Sequence, residues 1–106
     1  MKPVKLSECK RLDLAEGIVA HAVNTDNITV SHVHLQEGSV VPEHSHPHEQ
    51  IVNVMEGKMR LTLPDGEYVL EPGMAFVLPP NQPHAASAIT ECRVIDVFHP
   101  AREDFC

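Results

Sequence analysis

Positive charge is scarce in this chain: no lysine or arginine occurs between Leu12 and Gly57, and eight such residues face fifteen aspartates and glutamates, a net charge of −7. Nucleic acid and anionic membranes both demand a basic face, so neither is expected as a partner. An acidic small molecule would have to be held by few, local cations. Long apolar runs are missing too: nothing is long enough to span a bilayer, and the opening MKPVKLSECK has no apolar signal core. Cysteine is limited to Cys9, Cys92 and Cys106, an odd set without metal-type spacing that reads as free thiols in a reducing cytoplasm. No window sustains a helical period, and no internal repeat, linker or low-complexity tract occurs.

What the chain does contain is a series of short strand-like segments between turn signals. Residues 1–17 alternate poorly and predict an edge segment. Residues 18–23 form an apolar run stopped by Asn24-Thr25-Asp26-Asn27, and residues 28–35 alternate as a strand. Pro64-Asp65-Gly66 predicts a hairpin between 58–63 and 67–70. Glu71-Pro72-Gly73 turns the chain into an apolar strand at 75–78. Pro79, Pro80 and Pro83 stiffen the next loop, and a last strand at 91–98 ends before Pro100. With 106 residues this predicts one all-β domain, a small barrel or jelly roll.

The chemistry concentrates in GSVVPEHSHPHEQIVNVMEG, Gly38 to Gly57. On an extended strand the spacing of His44 and His46 puts both imidazoles on one face. Gln50 shares their parity and joins them if Pro47 only bends the chain; Glu49 has the wrong parity. A second stretch, GMAFVLPPNQPH, delivers His84 after a proline-rich loop. Three imidazoles and an amide oxygen suit one divalent first-row metal, among nickel, zinc, iron, cobalt and manganese, with coordination positions left open. Gln50 has a second reading, holding a water or a neighbouring histidine beside the metal. A neutral amide leaves the metal charge uncompensated, which favours an anionic oxygen ligand and Lewis-acid chemistry, but it supplies no base. Asp96 is the candidate base. It sits mid-strand among apolar residues, where a charge is either functional or held by a structural arginine. The pair His32 and His34 lacks the flanking glycines and reads as strand histidines facing solvent or a neighbour. Arg102 would by default be a solvated tail residue. Arg60 would line the barrel mouth or face solvent; it is carried as a second substrate-binding cation.

These spacings resemble a known pattern. Gly38, five residues, His44-Ser45-His46, three residues, Gln50, six residues and Gly57 resembles the first cupin motif (38–57), with Gln for the usual Glu. Gly73, five residues, Pro79, one residue, Asn81, two residues and His84 resembles the second (73–88), with Asn81 for the usual Gly and Ala88 for the usual Asn. The resemblance implies a single cupin domain over 1–106, one metal on His44, His46, Gln50 and His84, and a homodimer. The run HSHPHEQ and the tail from Val94 to Phe105 are similar to the pectin-degradation cupins of the KdgF type. Those proteins open 4,5-unsaturated uronates, released from pectin or alginate, to linear keto sugars. That likeness implies an acid–base role for Asp96, sugar packing for Phe98 and carboxylate binding for Arg102. The competing expectations are a metal-dependent cupin dioxygenase and a non-catalytic sugar- or metabolite-binding cupin.

Overall fold

The computed structural model describes residues 1–105, and its regular structure is almost all strand. They are β1 (Lys10–Ala15), β2 (Ile18–Asn24), β3 (Thr29–Leu35), β4 (Val40–His44), β5 (Glu49–Glu56), β6 (Met59–Leu63), β7 (Gly66–Leu70), β8 (Ala75–Leu78), β9 (His84–Ala88) and β10 (Cys92–His99). Two short 3-10 turns, Leu6–Glu8 and Glu103–Phe105, stand near the ends. The alternation in each strand decides its faces. In β3, Thr29, Ser31, Val33 and Leu35 are buried, while Val30, His32 and His34 face outward.

The strands form two antiparallel sheets, one ordered β1-β2-β3-β10-β5-β8 and one ordered β4-β9-β6-β7. Their inner faces meet in a core that includes Ile18, Val33, Leu35, Val52, Val54, Met59, Leu61, Leu78 and Val94. The poorly alternating amino-terminal segment is indeed an edge strand, and its register slips between Asp13 and Ala15. Pro64 and Asp65 form the β6–β7 hairpin loop. Gly57, at φ +84°, turns β5 into β6 so close to the β9–β10 connection that a Cβ there would collide with the Glu91 carbonyl oxygen.

One expectation needs correction. The histidine-rich run is not one continuous strand: β4 ends at His44, β5 begins at Glu49, and the two belong to different sheets. Pro47 lies in this corner; it cannot donate to a ladder. Shared strand parity therefore does not bring His44 and His46 together; a sheet-to-sheet corner does.

The carboxyl-terminal tail folds back over one end of the barrel. Arg102 N donates to Thr29 Oγ1 at 2.8 Å, and Asn24 Nδ2 donates to the Phe105 carbonyl at 3.0 Å. Phe105 is buried with Ala22 and Phe98, and Leu12 packs against them. Cys9 and Cys92 are free thiols; Cys106 lies outside the described residues. Among the described residues no helix is long and apolar enough to cross a membrane.

Candidate metal centre

Three elements deliver the histidines to one point. His44 closes β4 and stands directly opposite His84, the first residue of β9. His46 follows in the corner between the sheets. The rings of His44 and His84 lie 4.3 Å apart, those of His46 and His84 5.2 Å, and those of His44 and His46 5.8 Å. The candidate ligand atoms of the three all lie within 4.8 Å of one another.

Each imidazole is oriented by its own backbone. His44 Nδ1 donates to the Pro42 carbonyl at 2.9 Å, His46 Nδ1 to His48 at 3.0 Å, and His84 Nδ1 to Gln82 at 2.7 Å. With the proton on Nδ1, every Nε2 presents a lone pair, the form in which imidazole binds metal. Burial, reinforced by the positive charge of Arg102, lowers the His46 pKa, and burial does the same for His84. Both are thereby kept neutral.

The second loop is tied to the first. Asn81 takes φ +65°, and its N–H donates to the His46 carbonyl at 2.8 Å. The family pattern has Gly at this position; Asn is among the few other residues that tolerate the left-handed conformation.

Gln50 completes the donor set. Its Oε1 lies 3.0 Å from His46 Nε2. With His46 protonated on Nδ1, both atoms are acceptors, and a close pair of acceptors is relieved by a cation between them. The Gln50 side chain also hydrogen-bonds the Asp96 carboxyl, so its amide nitrogen points to the acid and its oxygen to the histidines. The donor chemistry thus fits a divalent metal.

Beside these residues the barrel encloses a cavity of about 390 Å³. Its lining includes the polar His44, Gln50, His84, Asp96 and Arg102 and the apolar Val33, Leu35, Leu61, Val94 and Phe98. Asp96 faces inward from β10, and burial raises its pKa to about 7 against the opposing pull of the Gln50 bond and Arg102. The arginine that acts on Asp96 is Arg102, whose positive charge opposes the rise in its pKa. Phe98, adjacent to Gln50 in register, is buried and packs edge-on against His46 at 5.6 Å.

Arg102 is not a solvated tail residue. Its side chain is 16% exposed, its guanidinium lies 5.0 Å from the Phe98 ring centre and 4.2 Å from that of Phe105, and Asp104 braces it at 2.8 and 3.2 Å. Burial raises the Asp104 carboxyl, but its bonds to Arg102 outweigh this and hold it below the usual range.

Arg60 stands apart, contrary to its expected place in the substrate site. It has the opposite parity on β6 to Met59 and Leu61, which line the cavity, and its Nε lies 3.4 Å from Glu67. Glu49 points away as its parity predicts and pairs with His99 at 3.8 Å. His32 and His34 are on the outer face, where His34 meets Glu91 at 3.5 Å. Asp104 and Phe105 were not anticipated as parts of this site, because only the fold-back of the tail brings them there.

Fold and site define the class: a double-sheeted β-barrel with a histidine-rich, metal-type centre inside one mouth. The cupin-domain family model matches residues 31–98, and the chain belongs to the cupin family. Among solved structures, KdgF from a Halomonas species is 32% identical, with 94% of this chain and 95% of that chain covered and a TM-score of 0.86. An RmlC-like cupin from Shewanella frigidimarina is 28% identical, covering 94% and 91%, also with a TM-score of 0.86. Ectoine synthase from P. lautus, 19% identical over 96% of this chain and 80% of that one, shares the fold at a TM-score of 0.84. No curated protein sequence matches the chain.

Proposed function

We propose that this cupin opens the ring of 4,5-unsaturated uronates from pectin or alginate and tautomerises the product to a linear keto sugar. The observation that carries the reading is one cavity joining a neutral His/Gln donor set, a buried carboxyl with pKa raised to about 7, and an arginine braced over two aromatic rings. The likeness to KdgF supports the same reading.

His44, His46, Gln50 and His84 would hold the divalent metal, which supplies Lewis-acid polarisation of a substrate oxygen. Arg102 binds the substrate carboxylate, and Phe98 packs against the sugar. The reaction is an isomerisation. A base takes the proton from the C1 hemiacetal hydroxyl, the C1–ring-oxygen bond breaks, and its electron pair stays on the ring oxygen. The resulting enolate is protonated at C4, leaving a ketone at C5 and an aldehyde at C1. Asp96 fits both halves, since a carboxyl with a pKa near neutrality accepts and returns a proton with little bias. Gln50 cannot ionise; it holds the acid through its amide nitrogen and would hold the metal through its oxygen.

Proton NMR tests the reading. With a lyase-generated unsaturated monouronate, the metal-loaded protein should remove the vinylic H4 signal far faster than the spontaneous rate, and the metal-stripped protein should not. A rate equal to the spontaneous one with every metal tried would contradict it.

We also propose that the protein acts as a homodimer through the outer face of the larger sheet. Val23, Val30, Val97, Ile51 and Val77 stand in register across five adjacent strands on that face, with Ile51 40% and Val77 65% exposed. A solvated sheet face normally carries polar residues at these positions. The row is uncharged, so it is where two copies of a chain with net charge −7 can meet without facing like charges.

A further inference from the structure

Two buried polar atoms on the inner face of the larger sheet have no hydrogen-bond partner: Ser31 Oγ and Asp96 Oδ1. They belong to directly paired residues, since Ser31 on β3 stands opposite Asp96 on β10. Both side chains point inward, Ser31 with Thr29 and Val33, Asp96 with Val94 and Phe98. Side chains directly opposite in an antiparallel pair have Cβ atoms about 4.5–5.5 Å apart. An orphaned hydroxyl and an orphaned carboxyl oxygen at that separation are one rotamer turn, or one bridging water, from satisfying each other.

The alternatives for Ser31 are few. The residue is 1% exposed, so bulk solvent does not hydrate its hydroxyl, and leaving it unpaired is costly. It does not line the cavity, so it does not reach a substrate there. The neighbouring inward hydroxyl, Thr29, is already engaged with Asn24 and Arg102. Asp96 meanwhile is hydrogen-bonded by the Gln50 side chain and feels the positive charge of Arg102, while its Oδ1 is left without a hydrogen-bond partner.

We propose that Ser31 is the positioning residue for Asp96. Its hydroxyl donates to Oδ1, directly or through one water, and clamps the carboxyl from behind. The plane of the carboxyl is then set from two sides, with Gln50 holding the face toward the histidines. Ser31 touches neither substrate nor metal. Its effect on turnover rests on the uronate reading; its contact with Asp96 does not.

Two experiments separate these. The first is a double-mutant cycle of Ser31→Ala, Asp96→Ala and the pair, measured by denaturant unfolding of the metal-free protein. A hydrogen bond of ordinary strength predicts non-additivity of roughly 2- to 12-fold in the unfolding equilibrium constant. Strict additivity would overturn the contact whether or not the protein acts on uronates. The second compares Ser31→Thr with Ser31→Val, which carry the same bulk and differ in the hydroxyl. Thr should keep kcat near that of Ser31, while Val should lower it about 3- to 10-fold, with KM and metal content equal in the two. Equal kcat in the Thr and Val variants, in a protein that turns over the uronate, would overturn the positioning role while leaving the proposed function in place.

Discussion

Burial of Asp96 works against stability, and pH exposes the cost. Its folded pKa, about 7, lies above the ordinary carboxylate value of 3.8. Between those values the folded state binds more protons than the unfolded one, so the contribution of Asp96 to stability falls as pH rises from 4 to 7. About three pKa units correspond to roughly 4 kcal/mol as an upper order of magnitude. Asp96→Asn removes the ionisation, so the metal-free variant should gain stability relative to wild type across that window and hold the gain above pH 7. A constant difference between pH 4 and pH 7.5 in denaturant melts would show that folding does not raise the Asp96 pKa. His46 and His84 act in the opposite sense. Their folded pKa values are lowered, so their contribution is present above the unfolded pKa and lost as pH falls through the folded one. The comparison with Asp96→Asn cancels that background.

At the scale of elements the site is an assembly of a sheet corner, a proline-rich loop and a tail. These should separate by mutation. His46→Ala takes one of three imidazoles and should purify with far less metal than wild type under identical loading. Phe105→Ala takes the anchor from under the Arg102 guanidinium; it should raise KM for a uronate about tenfold or more while metal content, by elemental analysis, stays at the wild-type level. Equal metal loss in both variants would mean that tail and centre are not separable. Most strands were readable from alternation and turn residues: β3 from 28–35, the β6–β7 hairpin from Pro64-Asp65-Gly66, β10 from the run before Pro100. The β4–β5 corner was not, because parity arguments assume a continuous strand and Pro47 interrupts this one. The tail contacts were invisible because they depend on chain reversal after β10, which no local pattern encodes. The face of Arg60 was undecided for a related reason. Shared parity with Lys58 and Thr62 says which residues lie together but not which face they occupy; buried Met59 and Leu61 decide that.

For the whole molecule, charge and surface shape give complementary expectations. The acidic chain concentrates an arginine at the cavity mouth, and its larger sheet carries an uncharged apolar row on the outside. Val97→Glu, at the middle of that row, should turn a dimer into a monomer in sedimentation without changing metal content; a wild-type monomer at tens of micromolar would rule the row out as a self-association face. The central claim, that the buried acid moves the proton beside a neutral His/Gln metal centre, is tested most directly on one preparation of Asp96→Asn. On that sample kcat is read from loss of the uronate H4 signal, and metal content by elemental analysis. General acid–base groups contribute about 10²–10⁴-fold, so kcat should fall by that factor with the metal fully retained. Turnover near the wild-type rate, with metal bound, would contradict the account.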